Sequence, residues 1–230
     1  MALPKLETPT YELILPSTGE KLKYRPFLVK EYKILLTALE SDGEEIHRMI
    51  NELVDVCTFK KLKIEELPNF DIEYIFLNLR ARSVGETTSL TLQCNNCENK
   101  IKFELDITKA EIKKDPEHTT KILISENIGL EMRYPKFEEM IAIYQNFKSE
   151  SVVEMLCNCI KSVYTDEQLY DDYTKEELVE FVNSFSKAQF ELLEKFFLTM
   201  PKVVQHVEED CTQCGAHNEV NLEGLQNFFV

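Results

Sequence analysis

The sequence contains no tryptophan and only six glycines. So few glycines argue against an all-β chain rich in tight turns, because such turns draw on the left-handed conformations that glycine supplies. No run of about 18 apolar residues occurs, so no membrane-spanning helix is expected. Residues 1–10 lack the apolar core of a signal peptide, and the expected location is the cytosol in which the chain is made. Basic residues are scarce: 26 Lys and Arg stand against 41 Asp and Glu, a net charge of −15. The imbalance is concentrated late, with net −2 over residues 1–103 and −13 over residues 104–230. Such a surface repels phosphate backbones unless its few cations cluster, so nucleic acid is not an expected partner. There is no phosphate-binding glycine loop and no Gly-x-Ser-x-Gly elbow. The four histidines, His47, His118, His206 and His217, form no His-x-x-x-His pattern. No catalytic residue is nominated, and the expectation is a protein that is not an enzyme.

What is present suits a globular chain. Apolar residues make up 43% and aromatics 10% of 230 residues, enough for one compact domain or two small ones. The reading along the chain is α+β. Tyr11, Leu13 and Leu15 alternate with Glu12 and Ile14, Pro16-Ser17-Thr18-Gly19 supplies a turn, and Leu22, Tyr24 and Pro26 follow on a second strand. A helix is expected from Leu28 to Glu40, with Leu28, Tyr32, Leu35, Leu36 and Leu39 on its inner stripe. After a break at Ser41-Asp42-Gly43, a second helix runs to Cys57 and a basic patch follows at Lys60, Lys61 and Lys63. A third helix, Asp71 to Val84, turns Ile72, Ile75, Phe76 and Leu79 inward and carries Arg80 and Arg82 at its end. Strands are expected at Thr87–Gln93, Lys100–Asp106, Lys121–Ser125, Leu130–Tyr134, Val203–Glu209 and His217–Leu222. Helices are expected near Phe137–Phe147 and Val152–Tyr164. Thr174 with Glu177, and Ser186 with Gln189, read as capping boxes that open two more helices. No repeat has a solenoid period, and the two cysteine hairpins are the only internal similarity.

Seven cysteines in a cytosolic chain read as metal ligands or buried core, not as a disulfide framework. Cys94-Asn95-Asn96-Cys97 and Cys211-Thr212-Gln213-Cys214 each lie at the tip of an expected hairpin. One Cys-x-x-Cys turn supplies half of a tetrahedral Zn2+ site, and two supply a closed one. The expected architecture is a helical core with β-hairpins and a split four-cysteine zinc ribbon, ligands Cys94, Cys97, Cys211 and Cys214, enclosing a helical insertion. Its parts are an N-terminal hairpin with helices over residues 1–86, the ribbon over 87–107 and 201–230, and the insertion over 108–200. The simplest competing reading is two separate reduced thiol pairs. His217 is an alternative ligand, although a solvated strand histidine is the simpler reading. Cys57 reads as core. Cys157 and Cys159, two apart on an expected helix, point different ways and form no pair.

Several segments resemble a family of baseplate hub and tail assembly proteins of T-even-like contractile-tailed phages. These are Tyr11-Glu12-Leu13, Leu15-Pro16-Ser17-Thr18-Gly19, Tyr24-Arg25-Pro26-Phe27, the run from Asp71 to Gly85, both cysteine knuckles, and Leu225 to Phe229. The resemblance implies a structural part in the baseplate hub, with other tail and hub proteins as partners. The same resemblance implies a runner-up: a chaperone for the tape measure protein that is absent from the finished virion. The chain would then reside in the host cytoplasm during assembly, or in the tail baseplate of the virion. A zinc-ribbon nucleic-acid regulator is the reading from a different class.

Overall fold

The computed structural model describes residues 6–39, 43–140 and 152–225. Its elements, in order, are β1 (Tyr11–Ile14), β2 (Lys21–Tyr24), α1 (Val29–Leu39), α2 (Gly43–Cys57), α3 (Asn69–Ser83), β3 (Thr87–Gln93), β4 (Lys100–Asp106), β5 (Glu111–Lys113), β6 (Lys121–Leu123) and β7 (Ile128–Met132), followed by α4 (Val152–Cys157), β8 (Ile160–Thr165), β9 (Leu169–Tyr170), α5 (Lys175–Asn183), α6 (Lys187–Thr199), β10 (Lys202–Asp210) and β11 (His217–Glu223). The fold is α+β, with four small antiparallel sheets among the described residues. The chain divides into two compact units, Met1–Lys113 with Lys202–Val230, and Lys114–Pro201.

In the first unit, α3 is the central helix. Ile72, Ile75, Phe76 and Leu79 have no exposed surface. Each contributes roughly 1.5–3 kcal/mol by leaving water. In the same unit α2, which contacts α3, buries Leu53, Val54 and Cys57, and β2 buries Leu22 and Tyr24. Two acids on α3 are buried with this core. Asp71 accepts hydrogen bonds from the N–H of Ser17 at 3.0 Å and from the Ser17 hydroxyl, which ties the β1–β2 turn to the helix. Gly19 allows that turn by adopting φ 74°. Glu73 is held by Asn69 and by the N–H of Leu225.

The chain leaves the first unit after Lys113 and returns to it at Lys202. Lys113 of β5 and Lys202 of β10 are paired residues in the three-stranded sheet β11-β10-β5. The residues that flank the intervening segment therefore form one rung of one ladder. Within the second unit the sheet order is β6-β7-β8-β9, and its core includes Leu130, Leu156, Leu193 and Phe196. Both predicted capping boxes form, with Thr174 accepting from Glu177 N–H and Ser186 from Gln189 N–H. A cap of this kind is worth about 1 kcal/mol.

Three expectations are corrected. The helix expected over Val152–Tyr164 stops at Cys157, and Ile160–Thr165 is a strand paired to β7. The segment Ile-Lys-Ser-Val-Tyr-Thr is rich in β-branched and aromatic residues, and a sheet position between β7 and β9 outweighs the helical spacing. On α1, Leu35 is buried but Leu28, Tyr32 and Leu36 are exposed. The inward position is taken instead by Glu31, which pairs with Arg25. The third correction concerns internal similarity. Arg25 donates to Glu31 Oε1 at 3.0 Å and to the Pro26 carbonyl at 2.9 Å, while Leu28 N–H donates to Glu31 Oε2 at 2.6 Å. Arg133 donates to Glu139 Oε1 at 2.6 Å and to the Tyr134 carbonyl at 3.2 Å, while Lys136 N–H donates to Glu139 Oε2 at 2.9 Å. The main chain repeats as well: Arg25 N–H meets the Cys57 carbonyl at 3.0 Å, and Arg133 N–H meets that of Cys159 at 2.8 Å. Burial opposes the charge on both glutamates, but the arginines and backbone donors hold both carboxyls below their usual range. Each clamp follows a β-hairpin and opens a helix, so more than the cysteine hairpins recurs.

Residues 137–140 are helical; the rest of the helix expected over Phe137–Phe147 lies outside the described residues, as do the break at Ser41-Asp42, Phe228 and Phe229. The side chain of Leu39 lies outside them too.

Two measurements test the packing. Gly129 faces the ring of Tyr164 across the β7–β8 ladder, and a Cβ there would lie 2.2 Å from Tyr164 Cζ. We expect Gly129→Ala to cost about 2 kcal/mol in urea unfolding, and much less in a Tyr164→Ala background. Burial pushes the Glu73 carboxyl from 4.5 up to about 7. The folded chain therefore holds this proton more tightly than the unfolded chain, and the resulting stability is complete below pH 4.5 and is lost as pH rises through 7. Wild type should lose on the order of 2–3 kcal/mol more than Glu73→Gln between pH 4.5 and 8, measured by urea unfolding at each pH.

Candidate metal centre

Four strands of the first unit bring the two Cys-x-x-Cys turns together. β3 pairs with β4 from Thr87↔Asp106 to Gln93↔Lys100, and the first turn closes that ladder. β10 pairs with β11 from Val204↔Glu223 to Asp210↔His217, and the second turn closes that one. The two turns have the same backbone. Cys94 N–H donates to the Asn99 carbonyl at 2.8 Å and Glu98 N–H to the Cys94 carbonyl at 3.0 Å. Cys211 N–H donates to the Ala216 carbonyl and Gly215 N–H to the Cys211 carbonyl, both at 2.8 Å. The residue after the second cysteine is left-handed in each, Glu98 at φ 59° and Gly215 at φ 69°. Glycine meets that demand freely; a glutamate does so at a cost of about 1–2 kcal/mol.

The sulfurs of Cys94, Cys97, Cys211 and Cys214 lie within 4.8 Å of one another. Cys94 Sγ is 3.8 Å from Cys214 Sγ, and Cys97 Sγ is 3.6 Å from Cys211 Sγ. Four sulfurs at about 2.3 Å from one ion sit about 3.8 Å apart at the corners of a tetrahedron. All four thiols are free of disulfides. Cys94 and Cys211 are buried with Ile101, Cys97 is half-buried, and Cys214 is exposed. The set can hold a metal ion.

Polar groups surround the sulfurs. Asn96 N–H reaches Cys94 Sγ at 3.4 Å. The side chains of Asn96 and Asn99 cross to the other turn, meeting Cys214 Sγ at 3.6 Å and Cys211 Sγ at 3.8 Å. Backbone hydrogen bonds from Cys214 and Gln213 draw the Cys211 thiol down to about 6, and those from Asn96 and Cys97 lower Cys94. At Cys97 the backbone of Asn99 acts downward, but the neighbouring thiols of Cys214, Cys211 and Cys94 prevail and push it up to about 12. Asn218, buried on β11, ties the turns to each other. Its Oδ1 accepts from Asn95 N–H at 2.9 Å, and its Nδ2 donates to the carbonyls of Ala216 at 2.8 Å and Glu209 at 3.3 Å.

His217 is apart from the four sulfurs and hydrogen-bonds Asp210 at 2.8 Å. With Glu208 and Glu219 it forms a second convergent group in which all three side chains are exposed. Cys57, Cys157 and Cys159 are buried, and burial pushes their thiols up to about 11, 11 and 12. Arg82 pairs with Glu86 at 2.8 Å and covers the Tyr11 ring, while Arg80 is half-buried.

The family model for the T4 bacteriophage base plate protein matches residues 8–230. The chain belongs to that family. The match takes in both cysteine turns and both arginine–glutamate clamps of this base plate protein. No curated protein and no solved structure matches it.

Asn218 escaped the sequence reading, since a polar residue on an alternating strand reads as solvent-facing. We expect Asn218→Ala to destabilise the base plate protein by about 2 kcal/mol, because it orphans the Asn95 N–H. Amide exchange should show Asn95 losing protection. Unchanged protection would exclude the tie.

Proposed function

We propose that this chain is a structural subunit or assembly factor of the phage baseplate hub, acting through protein contacts and held together by one structural zinc. The observation that carries the metal assignment is the agreement of the 3.6 and 3.8 Å sulfur separations with the edge of a zinc–thiolate tetrahedron. Soft thiolates favour zinc over hard cations, and four of them fill every tetrahedral position. That leaves no place for an activated water, so the ion's role is a staple and not a catalyst. The architecture on this reading is a zinc ribbon split between residues 87–107 and 201–230, joined to an N-terminal part over 1–86 and enclosing an insertion over 108–200.

The proposed residence is the tail baseplate, with other baseplate proteins as partners. Nucleic acid is disfavoured at the ribbon itself, because Glu98, Glu208, Glu209, Asp210 and Glu219 surround the knuckles. A transient chaperone, for example for the tape measure protein, is separated from a permanent subunit by mass spectrometry of purified virions.

Native mass spectrometry should find one zinc per wild-type chain and none in Cys211→Ser. Structural zinc contributes on the order of 10 kcal/mol in small sites, comparable to the whole stability of a domain. The variant should therefore melt at least ~10 °C lower or fail to fold. One zinc retained in Cys211→Ser would end the assignment.

A further inference from the structure

The two arginine–glutamate clamps lie in the same register, and the comparison exposes an edge that one unit fills and the other leaves open. In the second unit, β7 pairs with β6 through Ile128, Leu130 and Met132, so Gly129 and Glu131 turn their N–H and C=O groups the other way. β8 takes them: Gly129 lies opposite Tyr164 and Glu131 opposite Ser162. The strand enters at Cys159, whose carbonyl accepts from Arg133 N–H at 2.8 Å.

In the first unit the same rung is made at Cys57, whose carbonyl accepts from Arg25 N–H at 3.0 Å. Counting back from each arginine, Lys23 corresponds to Glu131 and Lys21 to Gly129. Leu15 N–H donates to the Glu20 carbonyl at 2.9 Å, which fixes the alternation so that Glu20, Leu22 and Tyr24 bond to β1. Lys21 and Lys23 therefore direct their main-chain groups to the opposite edge. Among the described residues no strand pairs there, and both lysines are exposed. The chain that could have continued along this edge leaves it at once: Phe59 and Lys60 are both left-handed, at φ 62° and 56°. That departure sets an exposed Phe59 and the exposed Lys60 and Lys61 just beyond the Cys57 rung.

We propose that the outer edge of β2 is a docking site for an extended, acidic segment of a partner protein, added antiparallel as β8 is added to β7. Main-chain pairing at Lys21 and Lys23 supplies the ladder. Charge selects the occupant: Lys21 and Lys23 on the edge, and Lys60 and Lys61 a few residues past the Cys57 rung, are exposed cations in an otherwise acidic protein. Among the described residues, the ion pair seen at these four lysines is Lys23 with Glu12 at 3.6 Å, on an exposed face. Phe59 offers an apolar contact for one side chain of the incoming strand. This surface is independent of the metal centre, and its failure would leave the zinc reading intact.

The test uses the full-length chain and a fluorescein-labelled peptide with the sequence of residues 160–172, a strand followed by four carboxylates. Fluorescence anisotropy should show saturable binding that weakens with salt, and amide exchange should show Lys21 and Lys23 becoming protected. Lys23→Pro removes the outward N–H without touching the bonds to β1. It should weaken binding at least tenfold with an unchanged melting temperature. Lys23→Gln keeps the N–H and should weaken binding only a few-fold. No saturable binding, or equal binding by Lys23→Pro, would overturn the proposal. So would self-association of the free chain that Lys23→Pro abolishes, because the occupant would then be a second copy.

Discussion

Four sulfurs gathered within 4.8 Å cannot share one protonation state without help. Backbone donors aim at Cys94 and Cys211 and stabilise their negative charge, while the crowd of neighbouring sulfur holds Cys97 neutral. On the proposed reading a bound dication would remove that conflict, since each thiolate would then face a positive charge. The surrounding strands bring the sulfurs together. β3 and β4 carry one turn, β10 and β11 the other, and Asn218, anchored in its own hairpin by two hydrogen bonds, ties the turns together by a third to Asn95 N–H. The pairing of Lys113 with Lys202 lets a separate unit be inserted nearby in sequence without disturbing that register.

Much of this was legible in the residues. Alternation gave the strands on either side of each cysteine turn, and the apolar spacing of Ile72, Ile75, Phe76 and Leu79 gave the central helix. Thr174 and Ser186 announced two helix starts because their partners sit three residues on. What failed did so for tertiary reasons. Ile160–Thr165 has spacing compatible with a helix, and only its place between β7 and β9 makes it a strand. β5 is three residues long and exists because β10 lies beside it. Asn218 has no readable local signature, since the bond that crosses to the other turn goes to Asn95, more than a hundred residues away.

The recurring clamp was hidden by a one-residue shift of proline. The first copy reads Arg25-Pro26-Phe27 and the second Arg133-Tyr134-Pro135, while the arginine-to-glutamate spacing of six is the same. A charged pair that also accepts a backbone N–H fixes both the exit of a hairpin and the first turn of a helix. The two copies diverge directly after their shared main-chain rung. Left-handed Phe59 and Lys60 end the first sheet at two strands, and Ile160–Thr165 carries the second to four.

The long separation between the cysteine turns also orders events in time. Cys97 and Cys211 are 114 residues apart, so a ribosome adding about 5–20 residues per second makes the first turn roughly 6–23 s before the second exists. During that interval Cys94 and Cys97 form a half-site at the end of a two-stranded ribbon with no mate. The insertion has time to complete its own core first, and closure of the first unit is left as a late step of synthesis.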